Sequence, residues 1–411
     1  MAHTAQRAHI DAARLQAIQS ALGERGLDGW LLYDYHAVNP VAGRVLGLAE
    51  PLSRRYFVLI PSAGTPVAVA HSLELPPWSE WTGAIRVYFK WQELEKTLAE
   101  LLRPGLRVAL EYSADDRVPQ LDRVPAGVLD LIKRAGVQPV ESGDLATIFA
   151  ATWTESELES HRRASKAIAR IAARAFQQAA AAVRAREGLS EWGLKESIIK
   201  MMDEVGLVEG DTIVGVGANA ADGHYEPTPQ GAAPIVEDRV LLIDLWAREP
   251  GSVFADQTWM GFMGTEIPGR VQEVWRAVHG AREAAVKYAA DHFGDPESPL
   301  RGCDVDAASR AVIEAAGFIE RFNHRTGHSI DNEIHGLGPN IDGVETHDVR
   351  TLLPGVAFSI EPGVYMADEN IGVRSEINVH LGHDGPEVTT PKPQDDVYPL
   401  LSEGWERSSN L

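Results

Sequence analysis

Residues 240–247, VLLIDLWA, and 254–259, FADQTW, decide how this chain is read, because each sets an aspartate inside an apolar, strand-like run. An ionised carboxylate buried in a strand is costly unless it is paired or bound to a metal. Taken alone, Asp244 is as well explained by a hydrogen-bonded structural carboxyl as by a ligand, and Asp256 is better explained as a strand-end residue. The two lie twelve positions apart (256 − 244), with the turn signal Glu249-Pro250-Gly251-Ser252 between them. That spacing predicts a hairpin that brings both carboxylates to one point.

Further acids follow the same pattern. Glu361 in VAFSIEPGVY and Glu376 in GVRSEINVHL each interrupt an apolar β-like run, and their separation of 15 allows a second hairpin. Nine of the 14 histidines fall between His224 and His383, and His328 sits in NHRTGHSIDNEIH with His324 four residues before it and His335 seven after. On a helix these would share a face, but Gly327, Asn323 and Asn332 argue for strand or loop, and three surface histidines explain this cluster alone equally well. Asp244, Asp256, His328, Glu361 and Glu376 together are four carboxylates and one imidazole. Gathered at one point they repel, so the cluster requires cations, and two dications balance four carboxylates. Hard oxygen donors with one imidazole favour Mn²⁺, with Co²⁺ or Zn²⁺ as alternatives, and two metals about 3.5–4 Å apart form a hydrolytic centre.

The rest of the chain sets the frame. Its 411 residues carry 38 Lys+Arg against 59 Asp+Glu, a net charge of −21, which repels nucleic acid and anionic membranes alike. The hydrophobic fraction of 44% and charged fraction of 24% are those of a globular chain long enough for two domains. One cysteine, Cys303, excludes an internal disulfide and a thiolate zinc site, and a nucleophilic role for it is disfavoured. The first twenty residues lack a secretory apolar run and space Ile10, Leu15 and Ile18 as a helix face would, so a cytoplasmic protein is expected. Residues 1–152 alternate helical patterns with β-rich runs (GWLLYDY, RRYFVLIP, TPVAVAH, LRVALEY, VQPVES) and read as a small α/β domain, with Asn39-Pro40 as a turn between strands. A larger α+β domain is expected over 153–411, opening on T-E-S-E at Thr154, a capping box before a long helix to about Arg186. Helices are also expected from Ser190 to about Val205, from Val271 to His292 and from Asp306 to Ala316, the last capped by Asp304 or Asp306.

Read together, G-A-N-A-A-D-G-H-Y (217–225), the Asp244/Asp256 pair with D-Q-T, H-R-T-G-H-S-I (324–330), L-L-P-G-V-A-F-S-I-E-P-G-V-Y (352–365) and G-V-R-S-E (372–376) resemble the metallopeptidases of the creatinase/aminopeptidase P family. N-P-V-A-G-R-V-L-G-L (39–48) is similar to that family's early strand-and-turn segment. The resemblance implies an α+β pita-bread catalytic domain, a creatinase-type N-terminal domain, and an Xaa-Pro dipeptidase or Xaa-Pro aminopeptidase that acts on short proline-containing peptides as a homodimer. It implies that Asp244 chelates one metal, that Asp256 and Glu376 bridge both, and that His328 and Glu361 hold the second. His224 and His335 would steady the scissile amide and the oxyanion, and His324 would line the pocket. Arg374 would orient the carboxylates, Tyr365 matches the tyrosine after E-P-G, and Glu361 would also shuttle the proton.

Some residues depart from the family pattern: Leu245-Trp246 after the first aspartate, Trp259-Met260 after D-Q-T, Asp331-Asn332 downstream of His328, and Gly-Leu-Gly after His335. None removes a ligand. The bulky pairs raise an alternative, non-peptide C–N hydrolysis or lyase chemistry at the same metals. Another is a metal-free binding protein of the same fold, whose signature would be lost ligands.

Overall fold

The computed structural model describes residues 7–48, 52–223 and 225–405. Contacts divide the chain into two units, Met1–Ala151 and Thr152–Leu411.

In the first unit, α1 (Ala12–Glu24) is capped by the Asp11 side chain, and β1 (Gly29–Asp34) is buried along its whole length. After it come α2 (Pro40–Leu46), β2 (Tyr56–Pro61), β3 (Val67–His71), β4 (Ala84–Tyr88), α3 (Trp91–Leu101), β5 (Arg107–Leu110), α4 (Ala126–Arg134), β6 (Gln138–Glu141) and α5 (Asp144–Ala150). The strands form one mixed sheet in the order β4-β3-β2-β1-β5-β6. Asn39-Pro40 does not make the expected turn between strands. The Asn39 side chain accepts from Ala42 N at 3.3 Å with Pro40 in the first turn, so the pair starts α2. The Asn39 amide also donates to Glu111, which is fully buried and takes Trp30 Nε1 at 2.6 Å. This buried acid is thus satisfied structurally.

The second unit begins with α6 (Glu155–Ala185), where Thr154 and Glu157 form a reciprocal capping box. Next come α7 (Glu191–Glu204), β7 (Val208–Val216), β8 (Val240–Arg248), β9 (Phe254–Phe262), α8 (Gly269–Asp291) and α9 (Gly302–Ala315). The chain ends with β10 (Ser329–Ile330), β11 (Ala357–Ile360), β12 (Gly363–Met366), β13 (Ile371–Arg374), β14 (Ile377–Gly382), β15 (Gly385–Val388) and β16 (Tyr398–Pro399). One sheet runs β16-β9-β8-β7, another β10-β11-β14-β15, and β12-β13 is a separate hairpin.

Residues two apart on a strand share a face, and β8 and β9 pair without interruption from Val240↔Phe262 to Arg248↔Phe254. One face packs Ile243, Leu245, Ala247, Ala255 and Trp259 with the apolar stripe of α6, including Ile168, Ala172 and Phe176. Asp244, Trp246, Asp256 and Thr258 therefore share the other face, as the pairs Asp244↔Thr258 and Trp246↔Asp256.

The expected caps of α9 are not used. A Cβ on Gly302 would lie 1.8 Å from Asn340 O, so the chain enters the helix at a glycine, directly after Arg301. Asp306 lies inside the helix, buried, and its carboxylate takes Thr326 N at 3.0 Å, Gly343 N at 3.2 Å and Arg310 Nε at 2.9 Å. Cys303 is half-buried, and burial pushes its thiol up, which opposes thiolate chemistry. Among the described residues no helix is long and apolar enough to cross a membrane.

Candidate metal centre

Five strand ends and loops converge on one cavity of about 520 Å³. Asp244 comes from β8 and Asp256 from β9, and His328 lies one residue before β10. Glu361 follows β11 and Glu376 precedes β14, which pair as Ile360↔Ile377, so these two acids emerge side by side. Their connection is longer than a simple hairpin because β12 and β13 fold out between them. All five residues border the cavity, together with His324, His335 and Arg374. Tyr365 stands behind it: its hydroxyl donates to His324 Nε2 at 2.9 Å and accepts from Arg374 Nη1 at 3.4 Å. His224 lies outside the described residues.

Donor atoms of Asp256, His328 and Glu376 all lie within 4.8 Å of one another. His328 Nε2 is 3.5 Å from Asp256 Oδ2 and 3.5 Å from Glu361 Oε1. His328 Nδ1 donates to Ser329 O at 3.1 Å, which turns the Nε2 lone pair toward the carboxylates, the usual orientation of a metal-binding imidazole. Gly327 makes this approach possible, since a Cβ there would lie 2.0 Å from Ser359 O.

The electrostatics are those of a site short of positive charge. Burial raises Asp244 to about 7 even though its Oδ2 accepts from Arg374 Nη2. Burial likewise raises Asp256, and burial with the neighbouring acids Asp256, Glu361 and Asp244 pushes Glu376 well above the carboxylate range. Glu361 is lowered: burial opposes its charge, but the positive charges of His328 and Arg374 outweigh it. His328 is raised, with Asp256 and Glu361 overcoming burial. His324 and His335 are lowered by burial, which keeps both imidazoles neutral at physiological pH.

A divalent metal fits these residues. Asp244 Oδ1, Asp256 Oδ1 and Glu376 Oε1 are buried with no hydrogen-bond partner, an expense that a bound cation removes. The oxygens on the other side are already oriented: Glu376 Oε2 accepts from Thr258 Oγ1 at 2.8 Å, and Thr258 Oγ1 accepts from Arg374 Nε at 2.9 Å.

Of the bulky residues that depart from the family pattern, only Trp246 borders the cavity; Leu245 and Trp259 face α6, and Met260 joins Leu242 and Phe262 in another core. Sequence reasoning missed Thr258 and Glu191. Thr258 carries a readable signal, two positions after Asp256 on the same strand face. Glu191, next to the Ser190 cap, reads as an ordinary first-turn acid but is fully buried, and it takes Val216 N at 2.7 Å, Ala233 N at 2.7 Å, the Asn219 amide and the Tyr225 hydroxyl. It thereby ties down the loop that brings Asp222 and Gly223 to the cavity. A larger cleft of about 970 Å³, between Trp275 and Arg282 on α8 and residues 392–399, gathers no such set of donors among the described residues.

Comparison with known proteins agrees with this geometry. The family model of metallopeptidase family M24 matches residues 163–383, the stretch that holds every residue of the cluster. The chain is 28% identical over 388 residues to the probable dipeptidase PepE of Mycobacterium tuberculosis, covering 92% of this chain and 94% of the relative. It is 31% identical over 235 residues to the Xaa-Pro dipeptidase of Lactobacillus delbrueckii subsp. lactis, covering 56% and 58%. The crystal structure of dipeptidase PepE from Mycobacterium ulcerans superposes with a TM-score of 0.70 at 24% identity, covering 94% of this chain and 97% of that one, which shows a shared α+β pita-bread fold.

Proposed function

The chain belongs to metallopeptidase family M24, and from that premise we propose that it is a dinuclear-metal peptidase that cleaves the bond between an N-terminal residue and proline, with dipeptides as its substrates. The observation that carries this reading is the cluster of three buried carboxylates, the partly exposed Glu361 and one imidazole, with three orphaned oxygens, in a cavity of peptide size. An Xaa-Pro dipeptidase among the relatives supports the choice of substrate. Asp244, Asp256, His328, Glu361 and Glu376 would hold the two ions, Mn²⁺ by donor chemistry.

When bound, the ions supply Lewis-acid polarisation of the scissile carbonyl and activation of water. The chain's own residues do the rest. Glu361, held ionised by His328 and Arg374, takes a proton and passes it to the leaving proline nitrogen. His335, neutral and open to the cavity, offers an N–H to the developing oxyanion. Its ring meets His328 edge-on at 4.4 Å, which restricts its orientation. His324 donates from Nδ1 to Arg325 O at 2.6 Å and receives the Tyr365 hydroxyl, so it is fixed as a wall. Trp246, Ile213 and Ile334 provide apolar surface for a proline ring. Association into a homodimer is part of the same reading and is measured by light scattering.

Non-peptide chemistry is disfavoured, since of the bulky residues that suggested it only Trp246 reaches the cavity. The test is a panel of Xaa-Pro, Xaa-Ala and Xaa-Pro-Yaa-Zaa peptides with Mn²⁺. Xaa-Pro should be turned over fastest. Preference for the tetrapeptide would move the assignment to an aminopeptidase, and turnover of non-peptide amides alone would refute it.

A further inference from the structure

We propose that Asp331 is a positioning residue for His335, holding the loop that displays this imidazole to the cavity; this rests on the peptidase reading above, in which His335 meets the developing oxyanion. Asp331 is a buried acid that the metal centre does not use, with 3% exposure. Its main chain is fixed to the start of the strand that carries Asp256, since Phe254 N donates to Asp331 O at 2.9 Å. From there its carboxylate spans the neck of the loop: Oδ1 accepts from Glu333 N at 2.8 Å and Oδ2 from Leu337 N at 2.8 Å. Beside it Gly336 N donates to Ser329 O at 2.7 Å, and beyond it Arg350 Nη1 donates to Leu337 O at 2.7 Å. Leu337 is thus held from both sides, its N–H by a carboxylate and its carbonyl by a guanidinium.

His335 depends on that neck. Among the described residues its imidazole makes no hydrogen bond, and its ring contact is the edge-on one with His328 at 4.4 Å. The direction of its N–H is therefore set by the backbone of residues 331–337, which must be rigid for a donor to meet a developing charge. Two departures from the family pattern, Asp331 and Gly336, come together at this neck: a Cβ on Gly336 would lie 2.7 Å from Asp331 Oδ2 and 3.0 Å from Ser329 Oγ. The Asp331 carboxylate fills the space that a side chain at 336 would take, so the acid and the glycine require each other. Burying a carboxylate is costly unless its oxygens accept hydrogen bonds, and here both accept from main-chain N–H groups of the loop it closes. A side chain at 331 without an acceptor would leave the buried Leu337 N–H unpaired, two positions from His335.

The experiment is a double-mutant cycle on cleavage of Ala-Pro by the Mn²⁺-loaded wild type, Asp331→Ala, His335→Ala and the double variant. His335→Ala should lower kcat about 10²- to 10³-fold, the effect of removing one oxyanion donor. Asp331→Ala should lower kcat about 10- to 100-fold through displacement of that donor, with both ions still bound. In the His335→Ala background the same change should matter by no more than about twofold, because no imidazole remains to be misplaced, whereas a merely structural acid would lower kcat by one factor in both backgrounds. Asp331→Asn keeps the volume and one accepting oxygen, so it should fall between wild type and Asp331→Ala, and it takes the place of Asp331→Ala in the cycle if that chain does not fold. Gly336→Ala should lower kcat as Asp331→Ala does, and by no more than about twofold further once residue 331 is alanine. Equal losses in the two backgrounds, an undiminished kcat in His335→Ala, or loss of Mn²⁺ in step with kcat overturns the assignment and leaves the peptidase reading standing. A wild type that releases no proline brings down that reading and this inference with it.

Discussion

Replacing Glu191 tests whether the loop beside the metal centre is held by one buried carboxylate. The side chain is fully buried, and its two oxygens accept from Val216 N and Ala233 N, both at 2.7 Å, from the Asn219 amide at 3.1 and 2.9 Å, and from the Tyr225 hydroxyl. Glu191→Ala leaves the buried Val216 N–H without an acceptor, at about 1–3 kcal/mol, and strips partners from three groups that water can partly reach. The total should be about 3–5 kcal/mol, the lost hydrogen bonds to Ala233, Asn219 and Tyr225 adding to the cost of the one fully buried donor. Glu191→Gln keeps the volume and one oxygen but turns an NH₂ toward donors, so it should cost roughly half as much. The same loop delivers Asp222 and Gly223 to the cavity, so each variant should also raise KM for Ala-Pro, about tenfold per 1.4 kcal/mol of lost binding, while the bound metal is unchanged. Urea unfolding gives the first quantity and steady-state kinetics with metal analysis the second. A Glu191→Ala protein within about 1 kcal/mol of the wild type refutes the accounting, because a single unsatisfied buried donor already exceeds that.

His161 predicts a pH dependence. It is fully buried between Phe254 O and Thr389 Oγ1, each 2.7 Å away, and burial lowers it from 6.5 to about 4. The unfolded chain then takes up the proton first as pH falls, so stability is complete above pH 6.5 and is lost between 6.5 and 4, by at most about 3 kcal/mol. Denaturant titrations across that window should show a shallower slope in His161→Gln, and an unchanged slope would contradict the assignment. Gly327→Ala places a methyl 2.0 Å from Ser359 O and should cost about 1–3 kcal/mol while weakening Mn²⁺ binding through displacement of His328, read by calorimetry. Mn²⁺ at a hundred times its Kd should stabilise the wild type by about 2.7 kcal/mol, and Glu376→Gln should lose most of that gain.

Much of this organisation was legible because it is local. The Thr154 capping box announces α6, and the spacing of Asp244 and Asp256 around Glu249–Ser252 announces β8 and β9, since turn chemistry and period-2 alternation act over a few residues. What escaped depends on contacts distant in the chain. Gly302 starts α9 because Asn340 crosses it, so Asp306 is spent on Thr326, Gly343 and Arg310 instead of on a cap. Asn39 caps a helix while its amide reaches Glu111, a residue 72 positions away. Trp259, one of the bulky departures from the family pattern, is turned toward α6 by the strand register. Glu191 carries no local mark of its role, which is defined by the loop that folds against it.

The central claim is that the buried acids are gathered to hold two ions that make the Xaa-Pro bond hydrolysable. Its most direct test is to titrate Mn²⁺ into the metal-stripped chain while following proline release from Ala-Pro. The account predicts no turnover without metal, activity that saturates at two ions per chain, and none in Asp256→Ala. Full activity in the metal-stripped chain, or no proline release with two ions bound, would contradict it.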